Sequence, residues 1–349
     1  MKTFKRVLNI IMVILTVTLL WSCNSEGAKK AQRIREIKIG VTLYKESDLF
    51  ISSIAENLID IAKEKESSED IKIILNIADS NGSTVNETKQ VEKFINQKYD
   101  VICVNLVDRT AASTIIDKAK LANIPVIFFN REPVEEDMQR WNKIYYVGAE
   151  AEKSGKMQAE IILDAYKENS NIVDKNSDGK IQYVMLEGEA GHQDSSIRTE
   201  YCIKSMIENG LEVEKLSDDI ANWENSQARE KMIQWIKSYG DDIEVVFSNN
   251  DDMALGAINA YDSLNIDIVD RPLIVGVDGI QEALQQIKEG KMIGTVISDA
   301  KEQASAIFNI AFSLGKNGDI DECIDLLDGK YFKVKHTKVL KENVELFYN

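Results

Sequence analysis

The sequence predicts an α/β protein of two similar lobes, each a doubly wound parallel sheet, joined by a hinge that the chain crosses several times. Three observations carry this. Short strands apolar on both faces alternate with amphipathic helices, the pattern of a parallel sheet covered on both sides. The alternation stops near Tyr146 to Glu150 and begins again. No Pro- or Gly-rich linker separates the two units, and the last segments read as returning to the first and then to the second. With 349 residues the chain can form two domains of ordinary size.

In chain order, Lys2, Lys5 and Arg6 form a basic head, and Val7 to Leu20 is an apolar run that is short for a spanning helix. Leu20-Trp21-Ser22-Cys23 resembles a bacterial lipoprotein signal. That implies removal of residues 1–22, lipidation of Cys23, and an exported, membrane-anchored protein. Ordinary cleavage near Ser22 would also export it. Residues 23–35 are polar and read as a tether. The first lobe is expected over 36–147 plus 299–333, and the second over 148–298 plus 334–349.

In the first lobe, strands are expected at Ile37 to Val41, Ile71 to Ile77, Asp100 to Leu106 and Ile124 to Phe129. Helices fall between them, at Ile51 to Lys65, Val85 to Gln97 and Ala111 to Ala122. In the second lobe, helix Lys153 to Lys167 precedes strand Ile181 to Leu186. Helix Ile197 to Asn209, strand Leu211 to Leu216, helix Ser226 to Ser238 and strand Ile243 to Phe247 follow. Then come helix Met253 to Leu264, strand Leu273 to Val277, helix Ile280 to Glu289 and strand Met292 to Ile297. A helix at Ala304 to Lys316 and a strand near Phe332 to Val339 close the chain.

A net charge of −16 argues against nucleic acid as a partner, because phosphate binding needs a basic face. The chain has only two histidines, His192 and His336, which excludes a multi-histidine metal site. Beyond Cys23, the cysteines are Cys103, Cys202 and Cys323, with no close-set pair, so no structural disulfide is expected.

Asp174, Asn176 and Asp178 offer oxygens at alternate positions, followed by Gly179. Oxygens at positions 1, 3 and 5 of a tight loop can converge on a hard cation such as calcium, with glycine at 6 and a backbone carbonyl at 7, here that of Lys180. Gln182 at position 9 could add another. Position 12 is Met185, where an EF-hand has glutamate, so a further carboxylate must come from elsewhere. A solvated Asx-rich turn uses the same residues for its own backbone.

In open parallel sheets, ligands bind beyond the carboxyl ends of the strands. Collected there are Asp48, Phe50 and Asn130 from the first lobe, and His192, Asp194, Arg198, Asn250 and Asp278 from the second, with Trp223 in a turn before a helix. Carboxylates accept, Arg donates in a fork, and Asn does both. Such a set suits a pyranose, whose hydroxyls donate and accept at once and whose apolar faces Phe50 and Trp223 could cover. Singly, each residue has a plainer use: Asp48 and Asn130 as helix N-caps, the aromatics as core, Asp194 and Arg198 as an i,i+4 pair.

The segments YKESDLF, NLVDRTAA, IPVIFFNREP, YYVGAE, DKNSDGKIQ, GEAGHQDSSIR, IANWENSQAREKM, IEVVFSNNDDMALGA, VGVDG and GTVISDA, in this order, resemble the galactose/glucose-binding proteins, type I periplasmic binding proteins of the methyl-galactoside ABC importer. The resemblance covers nearly all of the mature chain. It implies that Asp48, Asn130, His192, Asp194, Arg198, Asn250 and Asp278 hydrogen-bond D-glucose or D-galactose, and that Phe50 and Trp223 stack on its faces. It also implies calcium on Asp174, Asn176, Asp178, Lys180 through its carbonyl, Gln182 and Glu244, the last supplying the carboxylate that position 12 lacks. The implied partners are the importer's permease and, in a sensing role, a chemoreceptor. One contact departs: Ser298 stands where the family has Asn and offers one hydroxyl in place of an amide. The alternative is a calcium-dependent sugar-active enzyme with Asp48 and Asp278 as paired carboxylates. The sequence shows no nucleophile motif or P-loop to support it.

Overall fold

The computed structural model describes residues 35–69, 71–316, 320 and 324–348. The signal segment, Cys23 and Cys323 lie outside them.

The first sheet holds β1 (Arg35–Leu43), β2 (Ile71–Asp79), β3 (Val101–Val104), β4 (Val126–Phe129), β5 (Ile144–Ala149) and β11 (Tyr331–Val334), in the order β11-β5-β4-β3-β1-β2. All its pairings are parallel, with Ile39 opposite Leu75 on one side and Val101 on the other. The second sheet holds β6 (Lys180–Glu187), β7 (Glu212–Ile220), β8 (Val245–Ser248), β9 (Leu273–Asp278), β10 (Gly294–Ser298) and β12 (His336–Leu340), in the order β12-β10-β9-β8-β6-β7. The two orders correspond strand for strand, except that β12 runs antiparallel to β10. In each sheet the winding reverses beside the first strand, between β1 and β3 and between β6 and β8. A crevice opens at such a reversal.

Both faces of each sheet are covered. In the first lobe Ile37, Ile39 and Val41 pack with Ile54, Leu58 and Phe308 on one face, while Ile102, Val104 and Phe128 pack with Val91, Phe94 and Ile116 on the other. In the second, Val184, Leu186 and Val246 meet Met232, Ala257 and Leu284, and Met185, Phe247 and Val275 meet Ile162, Cys202 and Met206. Each such aliphatic or aromatic side chain contributes about 1.5–3 kcal/mol when fully buried. The lobes are therefore held by their own cores, and the surfaces between them are free to carry polar groups. Cys103 and Cys202 are buried and unpaired.

The chain passes between the lobes at Ala149 to Ala151, at Ser298 to Ala300 and at Val334 to His336. Helix Ala300–Gly315 lies on the first lobe, with Ile307 and Phe308 in its core. Two expectations need correction. Ile144–Ala149, read in sequence as a boundary, is a full strand. The segment near Phe332 to Val339 is two strands in different sheets, broken at Lys335. His336 ties the three crossings together: its Nδ1 lies 3.1 Å from Ile297 O and its Nε2 3.1 Å from Glu150 O.

Candidate functional site

The loops after the strands face one another across the gap between the lobes. They converge on a small, tightly packed pocket lined among others by Asp48, Phe50, Asn130, His192, Asp194, Arg198, Trp223, Asn250 and Asp278. Nine of the ten residues predicted for the cleft thus line one pocket, drawn from both lobes. Three of them also cap helices: Asp48, as its plainer reading had it, with His192 and Asn250, whereas Asn130 caps none. Asp48 caps helix Leu49–Ser68, with Oδ1 accepting from Ile51 N at 3.0 Å. Asn250 caps helix Asp251–Ser263 through Met253 N, and His192 caps helix Gln193–Glu208 by accepting from Asp194 N at its Nδ1. Capping fixes each side chain's rotamer at the pocket, where Asp48 Oδ2 also accepts from the Tyr44 hydroxyl and Asn250 Nδ2 donates to Trp223 O at 3.4 Å.

Arg198 is the centre of the second lobe's wall. It donates from Nη1 to Asn249 O at 2.7 Å, lies 3.4 Å from Asp194 Oδ2 and 3.8 Å from Asp278 Oδ1, and is 5% exposed. Its Nε is buried without a protein partner. Asn130 adopts φ 60°. Its Oδ1 accepts from Asn105 Nδ2 at 3.2 Å, which leaves the amide NH2 as the group to offer. Trp223 also has positive φ, 66°, and its ring lies against Gly188. A Cβ on Gly188 would fall 2.1 Å from the indole Cη2, so only glycine lets the ring lie there. His192 holds the same indole edge-on, with ring centroids 5.1 Å apart.

Burial sets the protonation of these groups. It holds His192 well below the ordinary imidazole range, and Arg131, Arg198 and Arg109 add to the effect. The neutral ring accepts at Nδ1 and therefore carries its proton on Nε2. Burial pushes Asp194 up, against the pull of Arg198. Asp278 is raised well above the carboxylate range by burial, with Arg198 opposing and Asp251, Asp48 and Asp194 adding repulsion. One guanidinium thus serves several carboxylates, and donors from a ligand would favour their ionised forms.

Ser298 is not part of this wall. It sits at the end of β10, 1% exposed, with its hydroxyl accepting from Gln303 Nε2 at 3.2 Å. Tyr44 and Ile51 do line the pocket and were not foreseen. Tyr44 directly follows β1 and donates its hydroxyl to Asp48 Oδ2 at 2.5 Å. The position just past a strand's carboxyl end was the available signal. Asn249 was also missed. It accepts from Gly188 N, Ser195 and Arg198, joining three parts of the second lobe's wall.

The second predicted site is also gathered. Asp174 accepts from Asp178 N and Gly179 N, and Asp178 accepts from Lys180 N and Gln182 Nε2. Asn176 donates to Gln182 Oε1. Glu244, next to β8, closes the loop: Oε1 accepts from Lys175 N, and Oε2 from Gln182 N at 3.0 Å. Burial raises the Glu244 carboxyl, and nearby Asp174 adds repulsion. The neighbouring ammonium groups turn away, Lys175 to Arg271 O and Lys180 to Glu214. Among the described residues, no group of three His, Cys, Asp or Glu side chains is arranged to hold a metal alone. The donor chemistry nevertheless fits a hard cation, because Asn176, Gln182 and the Lys180 carbonyl supplement the carboxylates.

A family profile described as a periplasmic binding protein domain matches residues 39–319. The chain belongs to the periplasmic binding protein family. It is 36% identical over 321 residues to the D-galactose/methyl-galactoside binding periplasmic protein MglB of Haemophilus influenzae, covering 91% of this chain and 94% of that one. It is 30% identical to a xylitol-binding protein of Mycolicibacterium smegmatis, over 81% and 73% of the two chains. A solved structure from Bacillus halodurans, an ABC transporter solute binding protein with bound myo-inositol, superposes with a TM-score of 0.73 at 28% identity, covering 90% of this chain and 97% of that one. The fold is that of the type I periplasmic binding proteins, and the chain is a substrate-binding protein, not an enzyme.

Such binding proteins close by a hinge around their ligand. Contacts across the gap show the conformation here. Lys45 pairs with Glu224, Arg131 with Glu189, and Gln193 Nε2 donates to Asn130 O at 3.3 Å. Each pair joins one lobe to the other, so the lobes stand closed.

Proposed function

We propose that this binding protein captures a hexose, D-glucose or D-galactose, between its lobes and delivers it to the permease of an ABC importer. The observation that carries this reading is the composition of the pocket at the strands' carboxyl ends: polar groups from both lobes and two aromatic rings, Phe50 from the first lobe and Trp223 from the second. The similarity to a galactose-binding relative supports it.

In this reading the first lobe offers the Asp48 carboxylate and the Asn130 amide, and the second offers His192 Nε2–H, Asp194, Arg198 Nε, Asn250 and Asp278. A sugar hydroxyl donates to one group while accepting from another, so the buried polar atoms of both partners are satisfied together. Phe50 and Trp223 cover the apolar faces of the ring. Only the closed form offers both lobes' groups at once, so the ligand shifts the equilibrium toward closure. The closed form is what the permease reads, and it offers a chemoreceptor the same surface.

The proposal includes calcium on Asp174, Asn176, Asp178, the Lys180 carbonyl, Gln182 and Glu244. Bound there, the ion supplies positive charge to the carboxylates and takes no part in ligand chemistry. Lipidation at Cys23 is the corresponding proposal for anchoring, checked by the mass of the mature N-terminal peptide. Isothermal titration with D-glucose and D-galactose tests the central reading. We expect one site per chain for at least one of the two sugars; binding of neither would overturn it.

A further inference from the structure

Asp251 lies just behind the pocket. It is fully buried and opens helix Asp251–Ser263. Its carboxylate is fully engaged. Oδ1 accepts from Thr295 Oγ1 at 2.6 Å, and Oδ2 accepts from Gly279 N at 2.7 Å and Ile280 N at 3.1 Å. The two amides belong to the residues that follow Asp278.

Asp278 has φ 122°, a backbone conformation nearly closed to residues with a Cβ. Such strain persists only where the surroundings enforce it. Asp251 supplies that enforcement from one side, by holding the next two peptide N–H groups. The strand beneath is shaped for it: a Cβ on Gly276 would fall 2.2 Å from Asp251 Oδ1. Thr295 on β10 fixes the other oxygen, so the carboxylate spans from β10 to the turn after β9.

We propose that Asp251 is a positioning residue for ligand binding, holding the Asp278 carboxylate where a sugar hydroxyl meets it. The proposal rests on the hexose reading above. Burial pushes the Asp251 carboxyl up to about 7, against the pull of these same three donors. An asparagine can reproduce the bonds. Its oxygen accepts from both amides, and its NH2 donates to the Thr295 hydroxyl. Alanine reproduces none of them.

The test is titration calorimetry of the mature chain with the better-bound hexose and its singly deoxygenated analogues. D278A should mark one hydroxyl, the one whose removal no longer weakens binding. D251A should lose about 10- to 100-fold in affinity for the parent hexose and carry the same mark at the same hydroxyl. D251N should keep the wild-type pattern within about 3-fold. T295V removes a single bond and should show the same mark with a loss of roughly 2- to 10-fold, which preserves the test if D251A does not fold. Unchanged affinity in D251A, or in T295V where D251A does not fold, overturns the assignment, as does a loss spread evenly over all analogues. A wild type that binds neither D-glucose nor D-galactose overturns the hexose reading itself, and the assignment with it.

Discussion

Arg198 shows how much one side chain can carry. It is the cation nearest Asp194 and Asp278, and its Nη1 holds the Asn249 carbonyl. Removing a partner from a buried ion pair leaves an uncompensated charge, typically costing about 3–5 kcal/mol. R198A is therefore expected to weaken hexose binding by 100-fold or more, on the order of the loss of charge-assisted bonds. R198K, which lacks the fork, should recover only part. Calorimetric titration of both variants checks this. The carboxylates make a second prediction. Asp194 and Asp278 are raised by burial, so they favour the fold below the ordinary carboxylate value, and that contribution is lost as pH rises through their raised values. In the proposed hexose complex, sugar hydroxyls would donate to the ionised forms and return what was lost. The melting-temperature gain from saturating hexose should thus grow as pH rises above the ordinary carboxylate range, with protons released on binding. His192 works in the opposite direction: its lowered value means that the ligand-free fold loses stability as pH falls below the ordinary imidazole range. Melting curves with and without sugar, and titrations in buffers of different ionisation enthalpy, would read both effects. A sugar-induced gain that shrinks with rising pH would contradict the carboxylate account.

The loop Asp174 to Gln182 and Glu244 form an element whose parts are far apart in sequence but joined by hydrogen bonds from Glu244 to Lys175 N and Gln182 N. With calcium bound at 100 times its dissociation constant, the stability gain is about 2.7 kcal/mol. A chelator should therefore lower the wild-type melting temperature by roughly 5–10 °C. E244Q keeps the shape, loses a charge, and should respond to the chelator by less than half as much. Equal melting with and without chelator in the wild type would leave the loop an Asx turn. This element also marks the limits of sequence reading. The alternate oxygens at Asp174, Asn176 and Asp178 are visible because they share a turn, whereas Glu244 arrives by sheet pairing and was found only by resemblance. The same division holds in the cleft. Asp48, Asn250 and Asp278 were legible because each follows a strand that is apolar on both faces. Asn249 was not, because it works by holding backbone from beneath the wall. Ser298 follows a strand too, yet Gln303 takes its hydroxyl, and a strand-end position does not reveal which way its side chain turns. The break at Lys335 was hidden for a similar reason: β11 and β12 read as one extended run, and only pairing assigns them to different sheets.

At the scale of the molecule, the question is what holds the lobes together besides the ligand. Among the described residues two ion pairs cross the gap, and they are not equivalent. Lys45 and Glu224 are both partly open, with side chains 33% and 37% exposed, and such pairs are worth about 0–1 kcal/mol. The Arg131 side chain is 5% exposed. Besides pairing with Glu189, it donates to Val107 O and lies 4.0 Å from the Tyr44 ring centroid. Tyr44 in turn holds Asp48, so this latch is continuous with the pocket wall. When the lobes part, Glu189 withdraws with the second lobe and Arg131 stays with Tyr44 on the first, where water can reach it. The latch therefore acts on the balance between open and closed forms and not on the choice of sugar. E189Q should weaken binding of every accepted hexose by the same factor, about 2- to 5-fold, because the Arg131 end of the bond is buried while Glu189 itself is 38% exposed. The ratio of glucose to galactose affinity should not move. E224Q should change affinity by less than about 2-fold. Solution scattering at saturating sugar should show E189Q reaching the wild-type compact form, but only at higher sugar concentration. A change in sugar preference in E189Q would instead place Glu189 among the groups that touch the ligand.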